Sequence, residues 1–143
     1  MNGNSSLISA ESVKAKIKRE ADQNAKDFNF LLLHYFIERL LYRLSISPYA
    51  NNFILKGGLL LYAILDKRGR ATRDIDFLAE NVKNAPDELA RIFKEIALIQ
   101  VNDAVSFDTE RIVVERINVL TNGGMWTIFF LEGLNAYHTS KNR

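Results

Sequence analysis

The chain has no cysteine, two histidines and two prolines in 143 residues. Without cysteine there is neither a disulfide nor a thiolate metal site, so a reducing compartment is permitted but not demanded. With His34 and His138 as the sole imidazoles, a histidine-rich metal centre is disfavoured. No apolar run approaches the ~20 residues that a membrane-spanning helix needs. Met1 to Ser6 is polar and lacks the apolar core of a secretory signal. These features predict a cytoplasmic protein with no membrane partner. The formal net charge of +2 is too small to argue for nucleic acid. What remains is globular in composition, 48% hydrophobic and 25% charged, and long enough for one domain with a real core.

Hydrophobic spacing divides the chain into four stretches. Residues 1–8 read as a loose tail, and residues 9–134 as one domain, helical over 9–46 with a core over 50–134. Residues 135–143 read as a polar C-terminal tail. Ser9 is a candidate N-cap with Glu11 in the first turn, opening a helix to about Asn24. Lys14, Lys16, Lys18 and Arg19 make that helix basic, which reads as a solvated face before it reads as a phosphate contact. From Asp27 to Ser45, Phe28, Leu31, Leu32, Tyr35, Phe36, Leu40 and Leu44 recur at helical spacing, and Leu33, Ile37 and Leu41 widen the apolar arc. Such a helix is buried on more than one side. His34 and Glu38, and likewise Arg39 and Arg43, are expected on its polar face. Ser47-Pro48 closes it, because a residue before proline disfavours the α region.

Phe53-Ile54-Leu55 reads as a short buried strand or helix entry, and Gly57-Gly58 opens a helix through Leu65. A strand over Arg70–Phe77 follows, then a helix from Pro86 to Ala97 with Leu89, Ile92, Phe93 and Ile96 as its core face. Strand-like runs at Arg111–Leu120 and Met125–Leu131 flank an Asn122-Gly123 hairpin signal. The fold class expected from this order is α+β: a mixed β-sheet flanked by helices, with a helical segment at the N-terminus.

Chemistry concentrates at two short motifs. In Asp74-Ile75-Asp76-Phe77 the period of two sends both aspartates from one face of a strand. Carboxylates that close repel unless a cation sits between them, and Mg²⁺ takes one or two carboxylates together with substrate phosphates. Asp74 follows Gly57 by seventeen positions. A Gly-Gly turn feeding a helix presents unspent N–H groups and the positive end of the helix dipole, which suits a triphosphate. Taken singly, each motif has a plain structural reading, a solvated strand edge or an ordinary tight turn; taken together they indicate a metal-dependent nucleotide site. Lys56 reads equally as a phosphate ligand and as a surface lysine. Thr72 could bond the glycine turn, and Arg70 or Arg73 could neutralise phosphate charge.

Gly57-Gly58 followed by Asp74-x-Asp76 resembles the signature of the DNA polymerase β-like nucleotidyltransferase superfamily. The wider order runs from Leu32 to Ser45, through Phe53-Ile54-Leu55-Lys56-Gly57-Gly58, to Arg70-x-Thr72-Arg73-Asp74-Ile75-Asp76-Phe77. It resembles the AbiEii/AbiGii-type toxin nucleotidyltransferases of type IV toxin–antitoxin and phage-defence systems. The resemblance spans roughly Asp27 to Ile117 and fades after about Leu120. It implies Asp74 and Asp76 as catalytic magnesium ligands, Gly57 and Gly58 as the phosphate turn, and Lys56, Arg70 and Thr72 as further nucleotide-binding residues. It also implies transfer of NMP from an NTP to an acceptor such as tRNA, and a cognate antitoxin encoded nearby.

Two departures accompany the resemblance. Leu59 stands where many superfamily members have a hydroxyl residue. Relatives carry a third carboxylate on a later strand and continue into a helical C-terminal region, which this chain is expected to lack. Glu115 and Glu132 are the candidates for the third acid, with neither as the other alternative. The competing readings are therefore a catalytically inactive nucleotide-binding remnant and a helical self-association module forming a homodimer through residues 27–45.

Overall fold

The computed structural model describes residues 6–64, 74–117 and 124–130, with backbone alone at 61–64, at position 117 and at 124–130. Its first helix, α1, is Ala10–Asn24. Ser9 caps it by accepting from the Ser12 N–H through its hydroxyl, and Ala25 ends it in the left-handed region at φ 49°. The second, α2, is Phe28–Ile46, with the Asp27 carboxylate accepting from the Phe30 N–H and Ser47 as C-cap before Pro48. Both helices thus start and stop where capping chemistry in the sequence places them.

Strand β1 (Phe53–Lys56) runs without a loop into α3 (Gly57–Ile64). Strand β2 is Ile75–Ala79, and α4 is Pro86–Ala97, with Pro86 in the first turn. A 3₁₀ turn at Thr109–Arg111 leads into β3 (Ile112–Ile117), followed by β4 (Gly124–Phe130). The expected strand over Arg70–Phe77 begins at Ile75, with Asp74 just before it; residues 70–73, Arg70, Thr72 and Arg73 among them, lie outside the described residues.

The four strands form one sheet in the order β1-β2-β4-β3. The α+β class holds, but the described pairings are all antiparallel, where a mixed sheet was expected. Strand β2 enters beside the end of β1 and not beside its start, pairing Lys56 with Asp76 and Phe53 with Ala79.

One face of the sheet, carrying Phe53, Ile75, Phe77 and Ile112, joins α2 and α4 in a single core. Phe53, Phe77 and Phe93 meet as a ring cluster with centroids 4.9–5.8 Å apart, and Phe93 and Ile75 have no exposed surface. Full burial of each such side chain stabilises the fold by about 1.5–3 kcal/mol. The expected α4 face of Leu89, Ile92, Phe93 and Ile96 is the buried one. Helix α2 is covered by α1 on one side and α4 on another, which its wide apolar arc requires.

Its polar side is not where simple spacing puts it. His34 and Arg43 are buried, not on a solvent face. His34 packs against Phe30 with tilted rings, centroids 4.3 Å apart, while Glu38 is exposed. The Arg43 guanidinium donates to both carboxylate oxygens of Asp103, at 2.6 and 3.1 Å, and to the carbonyls of Ile99, Arg39 and Val105. Arg39 adds a 2.8 Å bond to the same carboxylate, and Tyr35 donates to the Asp103 carbonyl. Burial pushes the Asp103 carboxyl up, but the bonds from Arg43, Arg39 and the Val105 N–H outweigh it and hold the group below its usual range. A buried charge is tolerated only when paired and hydrogen-bonded in this way.

Candidate active site

The second sheet face carries the candidate residues. Burial alternates along β2: Ile75 and Phe77 enter the core, and Asp76 stands half-buried on the opposite side. Asp74 is exposed, immediately before the strand and two residues from Asp76. The period of two that singled out this pair is therefore the period of a strand whose other face is core.

The glycine turn reaches the same place. Gly57 has φ +69°, and a Cβ built on it would overlap Oδ2 of Asp76 and lie 3.2 Å from both Cβ and Cγ of that residue. Gly57 is thus in contact with the Asp76 carboxylate, although nineteen positions separate them in sequence. Gly58 follows, exposed, in the first turn of α3. Leu59, the departure from the hydroxyl pattern, is 7% exposed and belongs to the core cluster. Its role is to seat α3 against the sheet.

Lys56, exposed at the end of β1, is the direct register partner of Asp76. The same row continues across the sheet. Asp76 pairs with Thr127 of β4, and Thr127 pairs with Glu115 of β3. Glu115 is exposed, and it shares the face of Asp76 because Ile112 and Val114 take the core side of β3. Two strand spacings put the backbones of Asp76 and Glu115 roughly 9–10 Å apart. Among the described residues, no three acids or histidines cluster closely enough to hold a metal ion together.

The described structure therefore brings Asp74, Asp76, Gly57, Gly58 and Lys56 to one corner of the sheet, with Glu115 in the same row. Arg70, Thr72 and the alternative acid Glu132 lie outside the described residues. The donor set suits magnesium. Asp74 and Asp76 lie two residues apart, the second backed by a turn with no side chain, and a hard cation takes oxygen ligands of this kind.

Residues 39–138 match the family described as nucleotidyl transferase AbiEii toxin, type IV TA system. The chain belongs to this family. The AbiEii match begins within α2 and contains β1, the glycine turn, the two aspartates and all of the sheet. It also runs past Leu120, where the resemblance was expected to fade. As an AbiEii toxin the chain falls in a class defined by nucleotidyl transfer and by pairing with an antitoxin. No curated protein and no solved structure gives a significant match. Among the described residues, no helix is long and apolar enough to cross a membrane.

Sequence reasoning missed Asp103, which carries the buried ion-pair network. A signal was available. Arg39 and Arg43 sit four residues apart on a helix whose apolar arc is too wide to leave a full polar face, so their guanidinium groups need an internal anion.

Proposed function

We propose that this chain is a magnesium-dependent nucleotidyltransferase that moves NMP from an NTP to an RNA acceptor such as tRNA, acting in the cytoplasm as the toxin of a type IV pair. The observation that carries the reading is the contact between Gly57 and Asp76. It joins the phosphate turn to the metal-binding acid, and each motif alone has an ordinary structural explanation.

In this reading Asp74 and Asp76 hold the metal, which when bound neutralises charge on the triphosphate and on the leaving pyrophosphate. The glycine turn and the start of α3 present backbone N–H groups to the phosphates. Lys56, beside Asp76, supplies a mobile positive charge toward the same oxygens, and Arg70 and Thr72 complete the nucleotide contacts. Glu115 accepts the proton of the acceptor hydroxyl as that oxygen attacks the α-phosphorus. The protein's share of catalysis is positioning and charge stabilisation.

One observation favours a weaker enzyme or a nucleotide-binding remnant. The residue paired directly with Asp76 on the neighbouring strand is Thr127 and not an acid. Self-association through α2 has less support. Leu32, Phe36, Ile37, Leu40 and Leu44 are spent inside the chain, leaving Tyr42 and Ile46 about half exposed. Incubation with each α-labelled NTP, Mg²⁺ and total tRNA separates the readings. Label on RNA identifies a working transferase and its nucleotide. Metal-dependent NTP binding without transfer identifies the remnant.

A further inference from the structure

We infer that the two glycines divide their work: Gly57 is a positioning residue that fixes the Asp76 carboxylate, and Gly58 is the residue that faces phosphate. The inference rests on the reading of Asp76 as a metal ligand and deepens it. A left-handed φ of +69° would by itself explain a glycine at a tight turn. The steric relation goes further. A side chain at position 57 would overlap Oδ2 of Asp76 and press on its Cβ and Cγ at 3.2 Å. Rotation about χ1 of Asp76 can carry the oxygen away, but it cannot move the Cβ, which is fixed by the β2 backbone. Any Cβ at position 57 therefore expels the carboxylate from its place or shifts the turn itself.

The consequence is a built-in coupling between the phosphate turn and the metal ligand. The backbone of Gly57 forms one wall of the space the Asp76 carboxylate occupies, so the carboxylate is held for a metal before any nucleotide arrives. Gly58 is exposed and lies one residue into α3, where the N–H groups of the first turn have no partner within the helix. Gly57 is exposed as well, but the side on which it lacks a Cβ faces Asp76, which leaves Gly58 as the glycine placed to meet a ligand.

The test is Mn²⁺ affinity without nucleotide, by titration of wild type, Gly57→Ala and Gly58→Ala. Gly57→Ala should weaken Mn²⁺ binding by about 10–100-fold, the range seen when a residue supporting a metal ligand is changed. Gly58→Ala should leave Mn²⁺ affinity unchanged and weaken binding of Mn²⁺–NTP. Because Gly57→Ala also strains the turn, its loss of Tm is measured in the wild type and in an Asp76→Ala background. A markedly smaller loss in the second background supports the steric coupling. Unchanged Mn²⁺ affinity in Gly57→Ala, or equal losses of Tm in both backgrounds, would overturn the inference. Absence of Mn²⁺ binding in the wild type, with the Tm coupling present, would instead overturn the metal assignment of Asp76 while leaving the steric relation standing.

Discussion

Asp76 and Glu115 are both register partners of Thr127, one from each side, so the two acids share a row and a face of the sheet with one strand between them. The spacing suits a division of roles, with Asp76 on the metal side and Glu115 on the acceptor side. Glu115→Gln should then lower the rate of transfer by about 10²–10⁴-fold, the usual effect of removing a catalytic acid or base. NTP binding should be retained. Since Glu115 is exposed, its stability should change by no more than about 0.5 kcal/mol. Unaltered turnover would remove Glu115 from the site.

Loss of the Asp103 charge should be far more costly to the fold. Asp103→Ala leaves the Arg43 guanidinium buried without its anion, and breaking a buried pair from one side costs about 3–5 kcal/mol. Urea unfolding of Asp103→Ala and of the paired variant Arg43→Met/Asp103→Ala measures this. The double variant should recover part of the loss.

The same pair sets an acid limit. The folded Asp103 carboxyl titrates below its ordinary value, so the unfolded chain binds its proton first as pH falls. The stabilising contribution is complete above the unfolded value, about 3.9, and disappears as pH drops through the lower folded value. Stability should therefore fall steeply below about pH 4. The slope there should be shallower in Asp103→Asn, as read from urea midpoints across pH.

Ala25 ends α1 with φ 49° and is exposed. A Cβ is disfavoured in that conformation and glycine is not. Ala25→Gly should raise stability by about 0.5–1 kcal/mol, observable as a small rise in Tm. A fall would mean that the cap is held by more than its backbone.

Much of this architecture was legible because local chemistry and tertiary need agree. Ser9 and Asp27 cap the helices that their side chains can cap, and Pro86 sits in the first turn of α4. The strand period through Ile75-Asp76-Phe77 is readable for the same reason: Ile75 and Phe77 must be buried, which turns Asp76 to the other face. What escaped depends on distant residues. Nothing near Arg43 in sequence names Asp103, sixty positions away. Nothing in Leu59 alone says that it is committed to the core and not to a phosphate. The antiparallel pairing of β2 with β1, which sets Lys56 beside Asp76, is likewise a relation that spacing can suggest but cannot orient.

The most direct measurement of the central claim is pyrophosphate release from NTP in the presence of Mg²⁺ and RNA, comparing the wild type with Asp76→Ala at matched folded fraction. The account predicts release by the wild type, matched by nucleotide incorporated into RNA, and its loss in Asp76→Ala. Equal release by both proteins would contradict the assignment of Asp76 to the catalytic centre.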